Sequence, residues 1–180
     1  VDAPTLLFVG RIQEFKGLDV AIEALSRSTN NNARLVVVGG LSGDRGTETY
    51  RDIRRRIERH ALEERILFVD PQPHQLLPTY YQAADVCLVP SRSESFGLVA
   101  LEAAACGVPV IASNVGGLRD NVVDGVTGLL VNERDPAKFA LAIDDLLERP
   151  ELRELMGRRG VERASLNSWG QGASNAIDVF

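Results

Sequence analysis

Two glutamates, Glu94 and Glu102, flank the run Ser95-Phe96-Gly97-Leu98-Val99-Ala100-Leu101. From Phe96 to Ser113, Glu102 is the only charged residue. A carboxylate in such an apolar run is costly to desolvate unless it has a partner, and a carboxylate can accept from two hydroxyls of a sugar ring. Glu94 lies after a strand-like run and before a helix-like run, where open α/β sheets bind their ligands. Gly97 lets a ligand approach the backbone, and the first-turn amides beyond it can donate to an anion or a sugar hydroxyl. The bland readings are a solvated loop residue for Glu94 and a helix-start surface glutamate for Glu102. The apolar neighbours of Glu102 weaken the second.

Gly10-Arg11-Ile12-Gln13-Glu14-Phe15-Lys16-Gly17 is the other stretch with chemistry in it. Lys16 and Lys138 are the only lysines among 20 Lys and Arg residues. Arg11 and Lys16 together at a strand-to-helix turn suit a phosphate or diphosphate; the competing reading is a solvated turn. Gly39-Gly40-Leu41-Ser42-Gly43 lacks the spacing of a dinucleotide fingerprint and reads as a plain turn rather than a cleft wall. Asn114-Val115-Gly116-Gly117 is a further candidate cleft loop. There is no Walker A sequence, no D-x-D pair and no Cys/His cluster, so no metal is expected. His60 and His74 stand in polar settings and are expected at the surface.

These loops need a scaffold, and the chain supplies an alternating one. Strands are expected at Thr5–Val9, Arg34–Val38, Arg65–Val69, Asp85–Val89, Val108–Ala112 and Leu129–Val131. Helices are expected at Gly17–Ser28, Thr47–Ala61, Gln75–Ala84 with an early break at Pro78, Gly97–Cys106, Pro136–Leu147 and Glu151–Ala164. The strands are continuous Val/Ile/Leu runs, as in parallel strands covered on both faces. The fold class is therefore α/β, a single Rossmann-like doubly wound parallel sheet. Residues 1–4 read as a linker remnant, 5–166 as the Rossmann-like domain, and 167–180 as a C-terminal helical segment. Trp169 is a packing anchor in this reading.

The chain has 180 residues, enough for one full core. A net charge of -5 argues against a nucleic-acid partner. Arg51, Arg54, Arg55, Arg56 and Arg59 are interleaved with acids and read as a solvated helix face. Cys87 and Cys106 lie in apolar runs and are expected as buried free thiols, which points to the cytoplasm. No run is long enough for a transmembrane segment.

Together, Gly10-Arg11…Lys16-Gly17 and Glu94…Glu102 resemble the G-R-x-x-x-x-K-G and E-x7-E motifs of retaining GT-B glycosyltransferases, glycosyl transferase group 1. The resemblance runs from Leu6 to about Trp169 and is to the C-terminal, donor-binding domain. The string from Ser93 to Ala103, with Val9–Gln13 and Asp70–Pro73, is similar to the branch that glycosylates inositol phosphate from UDP-N-acetylglucosamine. The resemblance implies roles. Arg11 and Lys16 bind the diphosphate and stabilise the departing UDP, and Glu94 holds the donor hexose. Backbone around Phe96, Gly97, Leu98 and Val99 contacts sugar and phosphates. Glu102 holds the ribose, and the Gln72 loop packs on the base; relatives can carry arginine at that place. The implied partners are a UDP-sugar donor and a hydroxyl acceptor, with no cofactor and no metal. The pattern also implies an N-terminal Rossmann-like domain that binds the acceptor, so this stretch alone is expected to bind UDP but to turn it over poorly. A homodimer is compatible with the exposed cleft face. The alternatives are a non-catalytic nucleotide-sugar-binding module and a flavodoxin-like regulatory domain. The second would need acidic strand ends, where Arg11 and Gly39 stand.

Overall fold

A computed structural model of the chain describes residues 3–41 and 46–166. Six parallel strands form one sheet in the order β3-β2-β1-β4-β5-β6. They are β1 (Thr5–Val9), β2 (Arg34–Val38), β3 (Ile66–Val69), β4 (Val86–Val89), β5 (Val110–Ser113) and β6 (Gly128–Val131). Between and after them come α1 (Leu18–Arg27), α2 (Gly46–Arg59), α3 (Leu77–Gln82), α4 (Leu98–Ala105), α5 (Leu118–Asn121), α6 (Pro136–Glu148) and α7 (Pro150–Leu166). This is the doubly wound sheet expected.

Successive side chains of a strand point to opposite faces, and each strand feeds two cores. Leu6, Phe8, Val86, Leu88 and Ile111 join Ile22 and Leu25 of α1, Ile57 of α2, and Phe139 and Ile143 of α6. Leu7, Cys87, Val89, Val110 and Ala112 join Tyr81 of α3, Ala100 and Ala103 of α4, and Leu118 of α5. All four residues of β4 and of β5 are buried. A strand buried on both faces has no polar alternation, which is why these runs read as continuous apolar stretches.

The helices are pinned by a few charges. Asp144 on α6 accepts from Ser28 Oγ at 2.5 Å and from Thr29 N and Thr29 Oγ1, each at 2.9 Å, tying α6 to the end of α1. Burial pushes the Asp144 carboxyl up, but these donors outweigh it and hold it below its ordinary value. Arg153 on α7 donates to the carbonyls of Leu146 and Leu147 and pairs with Asp85 at 3.1 Å, linking α7, the end of α6 and the start of β4. Gly157 of α7 crosses the Gly107 carbonyl so closely that a Cβ there would lie 2.0 Å from it.

Some sequence expectations change. Pro78 does not interrupt a helix; it sits in the first turn of α3, where its missing N–H costs nothing, and a 3-10 turn at His74–Leu76 precedes it. The helix α5 falls in a stretch with no predicted element. Cys87 is fully buried, but Cys106 is only partly so; both thiols are free. His74 is exposed as expected, while His60 is half-buried against Glu23. Arg56 is also drawn in by Glu23, at 2.8 Å, and the other four arginines of α2 are exposed. Among the described residues no helix is long and apolar enough to cross a membrane. The expectations for residues 167–180 lie outside the described residues.

Candidate functional site

The strand order reverses between β1 and β4. Their ladder pairs only Leu6 with Val86 and Leu7 with Cys87. Beyond it Phe8, Val9, Leu88 and Val89, with Lys16, Ser91, Glu94 and Val99, line a small crevice of about 10 Å³. A crevice at this switch point, outside the carboxyl ends of the strands, is where such sheets take ligands.

Two loops close over it. The loop after β1 carries Arg11 and Lys16, and the loop after β4 carries Glu94. Lys16 Nζ donates to Glu94 Oε2 at 2.7 Å, with the side chains 21% and 16% exposed. The same loops are clasped by Arg92 N donating to Phe15 O at 2.7 Å and by an Arg92–Glu14 ion pair at 3.2 Å. Gly17 sits where they touch. Its φ is 80°, and a Cβ would lie 2.1 Å from the Pro90 carbonyl oxygen. Only glycine meets both demands. Arg134 braces the junction from the loop between β6 and α6, donating to Pro90 O at 3.0 Å and pairing with Asp19 at 3.2 Å. Burial lowers the Arg134 pKa, against the pull of Asp19.

The β4 loop runs into α4 through Gly97, whose φ is 70°. Gly97 O accepts from the amides of Ala100 and Leu101. The amides of Leu98 and Val99 therefore belong to the first turn, which has no acceptor within the helix. This turn is held from behind. Asn121 Nδ2 donates to Phe96 O and, at 3.2 Å, to Gly97 O. Gly117 N donates to Glu94 O at 2.9 Å, and a Cβ on Gly116 would lie 2.0 Å from that oxygen. The Asn114–Gly117 loop therefore buttresses the backbone at Glu94. Phe96 and Leu98 point outward, 75% and 50% exposed.

Glu102 lies on α4, partly shielded. Its Oε2 accepts from Tyr81 Oη at 2.7 Å, and its Oε1 stands 3.1 Å from His74 Nε2. Its need for a partner in an apolar helix is met by α3 and the turn before it. Among the loops after β1, β2 and β3 opens a cavity of about 410 Å³, lined by Arg11, Gly39, Gly40, Leu41, Gln72 and Leu77 among others. The Gly39–Leu41 segment is thus a cleft wall, which corrects its reading as a plain turn. Gln72 is turned back, donating to Asp70 O at 2.9 Å.

The fold brings Arg11, Lys16, Glu94, the start of α4, Glu102 and Gln72 to one edge of the sheet. Tyr81, His74, Arg134 and Asn121 are additions that sequence reading did not supply. A tyrosine one residue in front of Gln82-Ala83-Ala84 carries no pattern of its own; its partner is 21 residues away.

The chain matches the family "Glycosyl transferases group 1" over residues 1–163. It is 44% identical over 183 residues to the D-inositol 3-phosphate glycosyltransferase of Corynebacterium efficiens, covering 99% of this chain and 42% of that protein. The enzyme of the same name from Acidothermus cellulolyticus is 42% identical over 186 residues, covering 100% and 41%. The chain thus spans less than half the length of these relatives. Among solved structures, sucrose-phosphate synthase from Thermosynechococcus elongatus superposes with a TM-score of 0.88 at 37% identity, covering 99% of this chain and 47% of that one. Anabaena HepE in complex with UDP has the same fold, with a TM-score of 0.92 at 23% identity over 99% of this chain and 50% of that one. On the extent of the family match, the motifs in order and the doubly wound sheet of the GT-B type, the chain belongs to the glycosyl transferases group 1.

Proposed function

We propose that the chain is the donor-binding half of a retaining glycosyltransferase that moves a hexose, glucose or N-acetylglucosamine, from UDP to a hydroxyl acceptor. The observation that carries this reading is the Lys16–Glu94 contact at 2.7 Å in the mouth of the β1/β4 cleft, beside the start of α4. An ammonium suits a diphosphate and a carboxylate suits sugar hydroxyls, and the two groups stand side by side. The UDP and UDP-glucose complexes of the structural neighbour HepE support a nucleotide-sugar donor.

Arg11, Lys16 and the first-turn amides of α4 meet the charge that grows on the departing UDP as the bond from C1 to phosphate breaks. That is the work a metal does elsewhere, so none is required. Glu94 orients the hexose through its hydroxyls. The acceptor hydroxyl attacks C1 on the face the diphosphate leaves, and its proton passes to the departing phosphate oxygen, so configuration is retained. Glu102 holds the ribose, and the cavity by Gln72 takes the base. The acceptor is bound mainly by a second domain, and the names of the relatives make an inositol phosphate the one to test first.

Titration calorimetry of the chain with UDP tests the reading. Saturable heat at or below millimolar UDP is expected, with little release of UDP from UDP-glucose or UDP-N-acetylglucosamine. Absence of heat at millimolar UDP overturns it.

A further inference from the structure

Tyr81 is among the largest fully buried side chains, 1% exposed, in the last turn of α3. A buried phenol needs a hydrogen-bond partner. Here the partner is a charged oxygen, Glu102 Oε2 at 2.7 Å. Burial, then Cys87 and the Glu102 carboxylate, push the phenol far up, so it remains a donor at any working pH.

The two Glu102 oxygens are thereby made unequal. Oε2 is anchored inward by Tyr81. Oε1 faces His74, whose side chain is 79% exposed. The terminal torsion of a glutamate is broad and roughly two-fold, so an unanchored carboxylate samples many rotations. One fixed from behind presents its outer oxygen to a ligand without a further ordering cost.

Resting on the reading of Glu102 as the ribose contact, we infer that Tyr81 is a positioning residue for nucleotide recognition. It locks the Glu102 carboxylate so that the outer oxygen accepts the paired 2′- and 3′-hydroxyls of the ribose, displacing His74. A purely structural Tyr81 satisfied by Glu102 would have no such consequence for ribose.

The experiment compares UDP with 2′,3′-dideoxy-UDP, by calorimetry, on the wild-type chain, Tyr81→Phe, Glu102→Ala and the double variant. Tyr81→Phe is expected to weaken UDP about tenfold and to leave the dideoxy compound within about twofold. Glu102→Ala should remove the difference between the two ligands, and Tyr81→Phe should then add nothing for UDP. Equal weakening of both ligands by Tyr81→Phe, or no weakening of either, overturns the inference while the ribose reading stands. A wild-type chain that binds both ligands alike, or a Glu102→Ala variant that keeps the difference, overturns the ribose reading and the inference with it. Should Tyr81→Phe fail to fold, 3-fluorotyrosine at position 81 keeps the ring and hydroxyl. Its fluorine resonance should move with UDP and not with the dideoxy compound; equal shifts overturn the inference.

Discussion

Lys16 answers to two partners. Its ammonium pairs with Glu94 at 2.7 Å, and in the proposed function it also meets the donor diphosphate. Lys16→Ala, like Arg11→Ala, should weaken UDP by about 1–3 kcal/mol, the range for hydrogen bonds to charged groups, as read by calorimetry. Glu94→Gln should separate the two partners. It removes the charge that competes for Lys16, so UDP should bind as well or more tightly, while UDP-glucose loses its sugar contact and binds more weakly. Loss of UDP affinity in Glu94→Gln would contradict the division of labour. Gly97 is the third test at this scale. Its φ of 70° strains any residue with a Cβ, and a Cβ there would lie 2.8 Å from Asn121 Nδ2 and push on that brace. Gly97→Ala should lower stability by about 1–3 kcal/mol and weaken UDP together, as denaturant unfolding and calorimetry would show.

At the scale of elements, the six strands were legible because both faces of β1, β4 and β5 are covered, and continuous Val/Ile/Leu runs follow from that. Strand ends shifted by a residue or two: β5 begins at Val110, after Pro109, rather than at Val108. The four-residue helix α5 was not legible, because it is too short to show a helical period. The loops of the candidate site were legible because Arg11, Lys16 and Glu94 fall at strand-to-helix turns, and Glu102 because it is the one charge in an apolar run. The braces Arg134, Asn121 and Tyr81 were not, because each acts through a contact more than twenty residues away that only packing creates. One such contact outside the site is Asp144 with Ser28 and Thr29. Asp144→Ala should cost about 1–3 kcal/mol of unfolding free energy and leave UDP affinity unchanged, since it touches only the α1–α6 seam. Because the folded Asp144 carboxyl titrates below its ordinary 3.8, its stabilising contribution is present above that pH and lost as pH falls through the lower folded value. Wild type and Asp144→Ala should therefore converge in stability on strong acidification.

For the whole molecule, the sheet is two sets of three strands, β3-β2-β1 and β4-β5-β6, joined at a ladder of two residue pairs. Each set contributes one wall of the crevice proposed to hold the donor. A ligand that binds both walls stabilises only the joined form. UDP at a hundred times its dissociation constant should add about 2.7 kcal/mol to the unfolding free energy and raise the melting temperature by about 5 °C or more. A melting temperature indifferent to UDP would mean that the cleft does not hold it.

The contact between Lys16 and Glu94 spans 78 positions of chain. Contacts of such separation form only after the intervening chain has been closed into a loop, and they are slow to appear. The proposed donor site is therefore a clock for refolding. After a jump out of denaturant, far-ultraviolet signal from the helices should recover first. Binding of a fluorescent UDP analogue should follow, at the rate at which the two sheet halves meet.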